Sequence, residues 1–347
     1  MYRLLRPLLF RLPPHAAHSL GGAALSILDA LHFNTPLNLS ARPIETMGLT
    51  FAHPVGLAGG FDKNARWPHA LASLGFAFLE LGTVTATAQA ENPRPNLFRL
   101  PADRALINRL GFPNDGANAI AERYQHATRS RPVGVPVGFS IGKSRSVPID
   151  ALDKVIDDYR ASLRAIAPVA DFVVVNISSP NTNHLRALQD RDQARRLLAA
   201  LREELGTQAL PLLVKVAPDM SVETLDELLT IIAELNLAGI VATNTTVSRE
   251  PLRTPKGEVE AMGAGGLSGP PLKASALRFV KHARAFLGPK ATIIGVGGIE
   301  TSDDVNRYLD AGANLIQIYT SFIYEGPGLP RRLAQEWARG LQAREQP

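Results

Sequence analysis

Phe172-Val173-Val174-Val175-Asn176-Ile177-Ser178-Ser179 opens with four β-prone apolar residues in a row and closes on a polar tail. The apolar residues do not alternate with polar ones. A strand reads this way when both its faces are buried, as in a parallel sheet covered by helices. The same form recurs along the chain, at residues 55–60, 76–83, 136–141, 172–178, 211–217, 239–246, 292–298 and 315–321. Amphipathic stretches lie between these runs. One is 221–236, where Ser221 is placed to cap a helix and Glu223 follows it. Alternating β and α units imply a parallel sheet. Eight of them predict an α/β fold, a (β/α)8 TIM barrel. A chain of 347 residues suits one large barrel with a substantial core. Residues 44–51 alternate around Met47-Gly48 and read as a β-hairpin closing the barrel's bottom.

The strand ends carry the chemistry. The runs finish in Gly59-Gly60-Phe61-Asp62-Lys63, Gly82-Thr83, Asn176-Ile177-Ser178-Ser179, Lys215, Thr243-Asn244-Thr245, Gly297-Gly298 and Tyr319-Thr320. In a barrel these ends meet on one face, where active sites sit. Ordinary turn chemistry accounts for the glycines but not for repeated Asn, Lys and Thr. Residues 99–118 read as a long connection rich in Pro, Gly and Asn, of a length that is usually functional, and 249–269 as a flexible lid.

Composition excludes several classes. The chain has no cysteine, hence no disulfide, thiolate metal site or cysteine nucleophile, and no metal site is expected. The net charge of +5 is mild and its basic residues are scattered, so no nucleic-acid partner is expected. The N-terminus differs from the rest: Arg3, Arg6 and Arg11 precede the first acidic residue, Asp29. Arg6, Pro7 and Arg11 interrupt any signal-peptide core, and the uncharged run 12–28 is too short and too polar to span a bilayer. Leu4, Leu5, Leu8, Leu9 and Leu12 fall on one helical arc, with the arginines outside it. Leu20, Ala23, Ala24, Ile27 and Leu31 repeat at helical spacing. A helix pair lying on a membrane surface and a helical cap on the barrel both fit this pattern.

Single motifs leave alternatives open. Gly295-Val296-Gly297-Gly298-Ile299 suits a phosphate at a following helix start, or a plain turn. Lys215, inside Leu212-Leu213-Val214-Lys215-Val216, either faces a bound anion or is salt-bridged at the strand end. Lys63 suits a substrate carboxylate or its neighbour Asp62. Asn176 and Asn181 flank Ser179 and offer amides suited to a ring imide; alone, the string is a polar loop.

Taken in order, the strings Gly59–Asn64, Glu80-Leu81-Gly82-Thr83-Val84-Thr85, Asn108-Arg109-Leu110-Gly111-Phe112, Ile141-Gly142-Lys143, Asn176–Asn181, Ala242–Thr246, Gly265-Gly266-Leu267-Ser268-Gly269 and Gly295–Ile299 resemble class 2 dihydroorotate dehydrogenases from end to end, N-terminal extension included. The resemblance implies oxidation of dihydroorotate to orotate in pyrimidine biosynthesis, with one FMN per chain and a quinone, ubiquinone or menaquinone, as acceptor. It implies FMN contacts at Gly59, Gly60, Phe61, Asp62, Lys63, Thr83, Ser140, Asn176, Lys215, Thr243, Gly269, Gly298, Tyr319 and Thr320. It implies a dihydroorotate site at Lys63, Asn108, Arg109, Leu110, Gly111, Phe112, Asn176, Asn181, Asn244 and Thr245. Ser179 matches the catalytic base, with Thr182 and Phe112 shaping the proton exit, and Lys215 would stabilise negative charge on the reduced flavin. The absent cysteine agrees with this class over the soluble one, whose base is a cysteine. Ser140 departs from the family's usual asparagine and Thr320 from its usual serine. His18, Arg99 and Tyr319 match polar residues near a quinone tunnel.

The expected organisation is therefore a membrane and quinone-access extension over residues 1–40 and an FMN-binding barrel over 41–347. The enzyme is expected at the cytoplasmic face of the bacterial inner membrane as a peripheral protein, with a monomer among the states the sequence permits. Two rivals explain less. A phosphate-binding aldolase or isomerase accounts for Lys215 and the glycine turn but not for the asparagines. A non-catalytic membrane-surface protein on the same barrel leaves Ser179, Lys63 and Lys215 without a purpose.

Overall fold

The eight runs form eight parallel strands, and in the computed structural model they close into one barrel. The structure describes residues 2–32, 37, 39, 41–181 and 185–345. In chain order the barrel strands are β1 (Val55–Leu57), β2 (Leu79–Val84), β3 (Val137–Ile141), β4 (Phe172–Asn176), β5 (Leu212–Val216), β6 (Gly239–Ala242), β7 (Thr292–Val296) and β8 (Leu315–Ile318). Each pairs with its sequence neighbours, and β8 pairs with β1 to close the circle. Helices occupy the connections, among them Leu152–Ile166, Arg191–Leu205 and Val222–Glu234. The last starts as its sequence implies, with Ser221 Oγ accepting from Thr224 N at 3.2 Å.

The unbroken apolar runs have a geometric cause. On β4, Val173 and Val175 pack outward into the main core, while Phe172 and Val174 join a second cluster that fills the lower barrel. That inner plug contains Phe51, Phe78 and Phe172, with ring centroids 5.4 Å apart for Phe51–Phe78 and 6.2 Å for Phe78–Phe172. Phe51 arrives on the hairpin Ile44–Thr46 and Leu49–Phe51, which turns at Met47-Gly48 beneath the barrel. Thr46 Oγ1 ties the hairpin to Thr292 Oγ1 at 2.6 Å.

Two connections are more structured than their composition implies. Where 99–118 reads as a connection, an antiparallel pair that begins two residues earlier (Leu97–Leu100 with Ala105–Asn108) turns at Arg104. Gly266–Ser268 adds a third strand to it. The lid segment holds that strand and a helix, Lys256–Met262. Leu100, Ala105, Ile107, Val259 and Leu267 bury one another and make this sheet a satellite core of its own. Its strands are three or four residues long, too short to show periodicity in the sequence.

Ahead of the barrel stand two helices, α1 (Tyr2–Arg11) and α2 (Pro14–Ala30). Helix α1 rests on the short helix Thr320–Glu325: Tyr2 donates to Ile323 O at 2.6 Å and Arg6 to Tyr324 O at 3.1 Å. Arg6 is thus turned toward the barrel. Helix α2 seats Gly22 against the Trp67 ring, whose indole N–H donates to Ser26 Oγ at 2.9 Å. Leu4, Leu5, Leu8, Leu12, Leu20, Ile27 and Leu31 stay exposed. No helix among the described residues is long and apolar enough to cross a membrane.

Candidate active site

Register brings the site residues level. Asn176, the last residue of β4, stands opposite Lys215 on β5, and Gly82 on β2 opposite Ser140 on β3. The strand ends surround a cavity of about 1130 Å³, counting its open mouth. The three-stranded sheet covers it, contributing Leu97, Leu106, Asn108, Ser268 and Gly269.

The first wall is an amide and hydroxyl cluster. Asn244 Nδ2 donates to Ser178 Oγ at 3.1 Å, and Asn244 Oδ1 accepts from Thr245 N at 2.8 Å. Asn181 Nδ2 donates to Asn108 Oδ1 at 3.1 Å, and the Asn181 N–H donates to Ser179 Oγ at 3.2 Å. Asn181 Oδ1 and Thr245 Oγ1 are buried without a partner. Burying a polar atom unpaired costs about 1–3 kcal/mol, so two on one wall mark a place for a ligand that supplies the missing bonds.

Lys63 bounds the same space. Its Nζ donates to Gly60 O at 2.5 Å and makes no ion pair among the described residues. Burial pushes it down to about 8, against the opposing pull of Asp62 and Glu91. The alternative of a Lys63–Asp62 pair is not realised. Asp62 instead accepts the backbone N–H groups of Arg66 and Trp67 at 2.9 and 2.8 Å, and burial raises its pKa despite those bonds.

The turn after β7, beside the end of β6, is a glycine cradle. Gly297 and Gly298 have φ of +136° and +66°, and a Cβ on Gly298 would sit 2.9 Å from Lys273 Cβ and 3.0 Å from Gly269 O. The helix after this turn, Ser302–Asp310, caps itself: Thr301 Oγ1 and Asp304 form a capping box, and Asp304 Oδ2 also accepts from Glu300 N. The helix start that faces the cavity is the next one, at Thr320, whose hydroxyl lies 2.8 Å from Ser268 Oγ. Donor-rich backbone of this kind suits a phosphate.

Of the expected FMN contacts, Gly59, Gly60, Lys63, Thr83, Asn176, Lys215, Thr243, Gly269, Gly298, Tyr319 and Thr320 line the cavity. Phe61, Asp62 and Ser140 do not. Ser140 stands behind Thr83, its hydroxyl 2.9 Å from Thr83 Oγ1, which also accepts from Asn176 Nδ2 at 3.0 Å. The serine therefore braces a lining residue from behind. Of the expected substrate set, Arg109 turns away: its guanidinium donates to Met262 O, Ala264 O and Pro95 O and stacks over Phe98, fastening the lid. Thr182 lies outside the described residues.

The residues matched to a tunnel divide. His18 on α2 meets Phe61 edge-on at 5.7 Å, and Phe61 meets Tyr319 at 6.1 Å, so an aromatic series runs from the helix pair to the cavity. Burial pushes Tyr319 up to about 12. Arg99 stacks on Phe10 and donates to Leu12 O at 2.8 Å, holding the turn between α1 and α2.

Sequence reasoning missed Glu80 and Gln317. Lys215 is salt-bridged, its Nζ 3.0 Å from Glu80 Oε1, and it also lines the cavity. A glutamate in the middle of a buried strand run was the available signal.

The residues present fit a flavin mononucleotide: a glycine turn with room for a phosphate, a cavity large enough for the ring, and unpaired polar atoms in its lining. The dihydroorotate dehydrogenase family model matches residues 43–341. A Rhodococcus erythropolis protein named dihydroorotate dehydrogenase (quinone) is 47% identical over 99% of this chain and 96% of its own. One from Chloroflexus aurantiacus with the same name is 48% identical over 95% of this chain and 93% of its own. The crystal structure of ligand-free DHODH from Eimeria tenella is 34% identical, covers 94% of this chain and 95% of that one, and superposes with a TM-score of 0.84. A second Eimeria tenella structure, in complex with ferulenol, gives the same TM-score at 33% identity, over 94% of this chain and 92% of that one.

Proposed function

We propose, on the premise that this chain belongs to the dihydroorotate dehydrogenase family, an assignment of its residues to the steps of the reaction. The reaction is oxidation of dihydroorotate to orotate with a quinone as acceptor, a step of pyrimidine biosynthesis. Bound in the cavity, FMN would supply the two-electron redox chemistry that no side chain here can.

Gly269, Gly298 and the helix start at Thr320 would hold the FMN phosphate, and Thr83, Asn176, Lys215 and Thr243 its ring. Lys63 would pair with the substrate carboxylate. Asn108, Asn176, Asn181, Asn244 and Thr245 would bond the ring of dihydroorotate, the unpaired Asn181 Oδ1 accepting a ring N–H. Ser179, buried beside them, would take the proton from C5 as C6 loses hydride and the C5–C6 double bond forms. Phe112 would close the cavity against bulk water. The ammonium of Lys215 would favour negative charge arriving at the ring.

The observation that carries this assignment is the pair of unpartnered polar atoms, Asn181 Oδ1 and Thr245 Oγ1, in the cavity that Lys63 also lines. It is tested by anaerobic titration of the purified protein with dihydroorotate, then with a soluble quinone, following flavin absorbance. Bleaching by the first and recovery with the second is the expected result. A yellow protein that does not bleach keeps the FMN and removes the substrate assignment. A colourless protein that cannot be reconstituted with FMN removes both.

The helix pair would seat the enzyme at the cytoplasmic face of the inner membrane as a peripheral protein. Its exposed leucines support this, and the His18–Phe61–Tyr319 series supports quinone access between the helices and the barrel.

A further inference from the structure

Glu80 has no exposed surface, yet nothing in the assignment above uses it. It stands on β2, and its two oxygens serve two other strands. Oε1 accepts from Lys215 Nζ on β5 at 3.0 Å, and Oε2 from Gln317 Nε2 on β8 at 2.8 Å. Lys215 and Gln317 line the cavity; Glu80 does not.

A carboxylate can only accept, so Gln317 must turn its NH2 group toward Glu80. Its carbonyl Oε1 is left buried and unpartnered. A Cβ on Gly59 would lie 2.3 Å from Glu80 Oε1, so the carboxylate packs directly under bare backbone at the cavity floor. The arrangement presents a cationic donor and a neutral acceptor, both fixed by one carboxylate.

We propose that Glu80 is a positioning residue of this enzyme. It holds the Lys215 ammonium and the Gln317 carbonyl oxygen at the cavity floor, and its charge limits how strongly Lys215 favours negative charge on the cofactor ring. The inference rests on the reading of Lys215 given above. A buried ammonium is expensive without a counter-charge, and a counter-charge behind it cancels part of its field toward the cavity. Glu80 trades some of that field for an ordered, paired lysine.

The test is the two-electron midpoint potential of the bound FMN, measured on holoenzyme by equilibration with reference dyes. Glu80→Gln keeps the shape and an acceptor for Lys215 but removes the negative charge. It is expected to raise the potential, by roughly tenfold in the ratio of reduced to oxidised flavin, about 30 mV for a two-electron couple. Lys215→Met is expected to lower it. In the Lys215→Met background Glu80→Gln should have no further effect, because an unpaired buried carboxyl is neutral already. Dihydroorotate affinity should be unchanged in Glu80→Gln, since Glu80 does not reach the substrate.

A potential that stays or falls in Glu80→Gln, while Lys215→Met lowers it, overturns the role of Glu80 alone. A Lys215→Met variant with an unaltered potential removes the underlying reading of Lys215. Where Glu80→Gln does not retain FMN, the dissociation constant is read instead. Recovery of binding in the double variant supports the proposal, because the stranded cation has been removed; no recovery overturns it.

Discussion

At the scale of single residues, the site separates groups that touch ligand from groups that hold them. Ser179 is proposed as one of the first kind: its hydroxyl accepts from Asn181 N, and the residue lines the cavity. Ser179→Ala should keep FMN and lose about 10²–10⁴-fold in flavin reduction by dihydroorotate, the usual contribution of a general base. Unchanged single-turnover reduction would remove the serine from that role. Lys63 is proposed as another of the first kind, and burial has brought it to about 8. The sign follows from the charged form being the one that binds. Below about 8 the ammonium is present to pair with the substrate carboxylate; above it the charge is lost. On its alkaline side, kcat/KM for dihydroorotate should therefore fall about tenfold per pH unit, since that ratio reports the free enzyme. Lys63→Met should be poorly active and lack that limb. A profile flat to pH 10 in the unaltered enzyme would mean that Lys63 is not the carboxylate's partner.

At the scale of elements, legibility followed length. Every barrel strand was visible, because burial on both faces leaves short, mostly apolar runs without the period of an amphipathic helix. The hairpin at Ile44–Phe51 was visible for the opposite reason, since one face is exposed and its residues alternate. The sheet over the mouth was not visible. Its strands gain stability from contacts between residues far apart in the chain, such as Ile107 with Leu267, and three residues carry no period. The candidate site was legible as strand-end residues, but not in which of them face inward. Phe61, Asp62, Arg109 and Ser140 sit beside lining residues in sequence or register and point elsewhere. Glu80 escaped notice because its partners lie on two other strands. The plug beneath the site makes its own prediction. Phe78 packs between Phe51 and Phe172, and a Cβ on Gly56 would already strike its ring at 2.3 Å. Phe78→Ala should cost about 3–5 kcal/mol of stability, read from the urea midpoint, because the glycine and the flanking rings have nothing to move into the gap. The same change should leave dihydroorotate affinity intact, as the plug lies at the other end of the barrel.

At the scale of the whole molecule, the chain divides into a barrel that hides its apolar surface and a helix pair that shows it. Seven of the ten large apolar residues exposed among the described residues belong to α1 and α2 or the turns directly after them. Such clustering has a cost in water and marks an interaction surface. Among the described residues the helices are fastened to the barrel by Tyr2 and Arg6 to Ile323 and Tyr324, Ser26 to Trp67, Asp29 to Arg131 at 3.1 Å and to His69 at 3.7 Å, His15 to Glu91 at 3.7 Å, and Arg99 to the turn between them. None of these lines the cavity. Removal of residues 1–35 should therefore leave the barrel folded and flavin reduction by dihydroorotate unaltered in a stopped-flow measurement. Reoxidation by a long-chain quinone in vesicles should be crippled, because the His18–Phe61–Tyr319 path has lost its outer end and the protein its apolar seat. A small water-soluble quinone should reoxidise the truncated enzyme far better than a long-chain one, since it needs neither. Normal kinetics with the vesicle-borne quinone in the truncated protein would show that electrons leave by another face of the barrel, and that the exposed leucines serve something other than the acceptor.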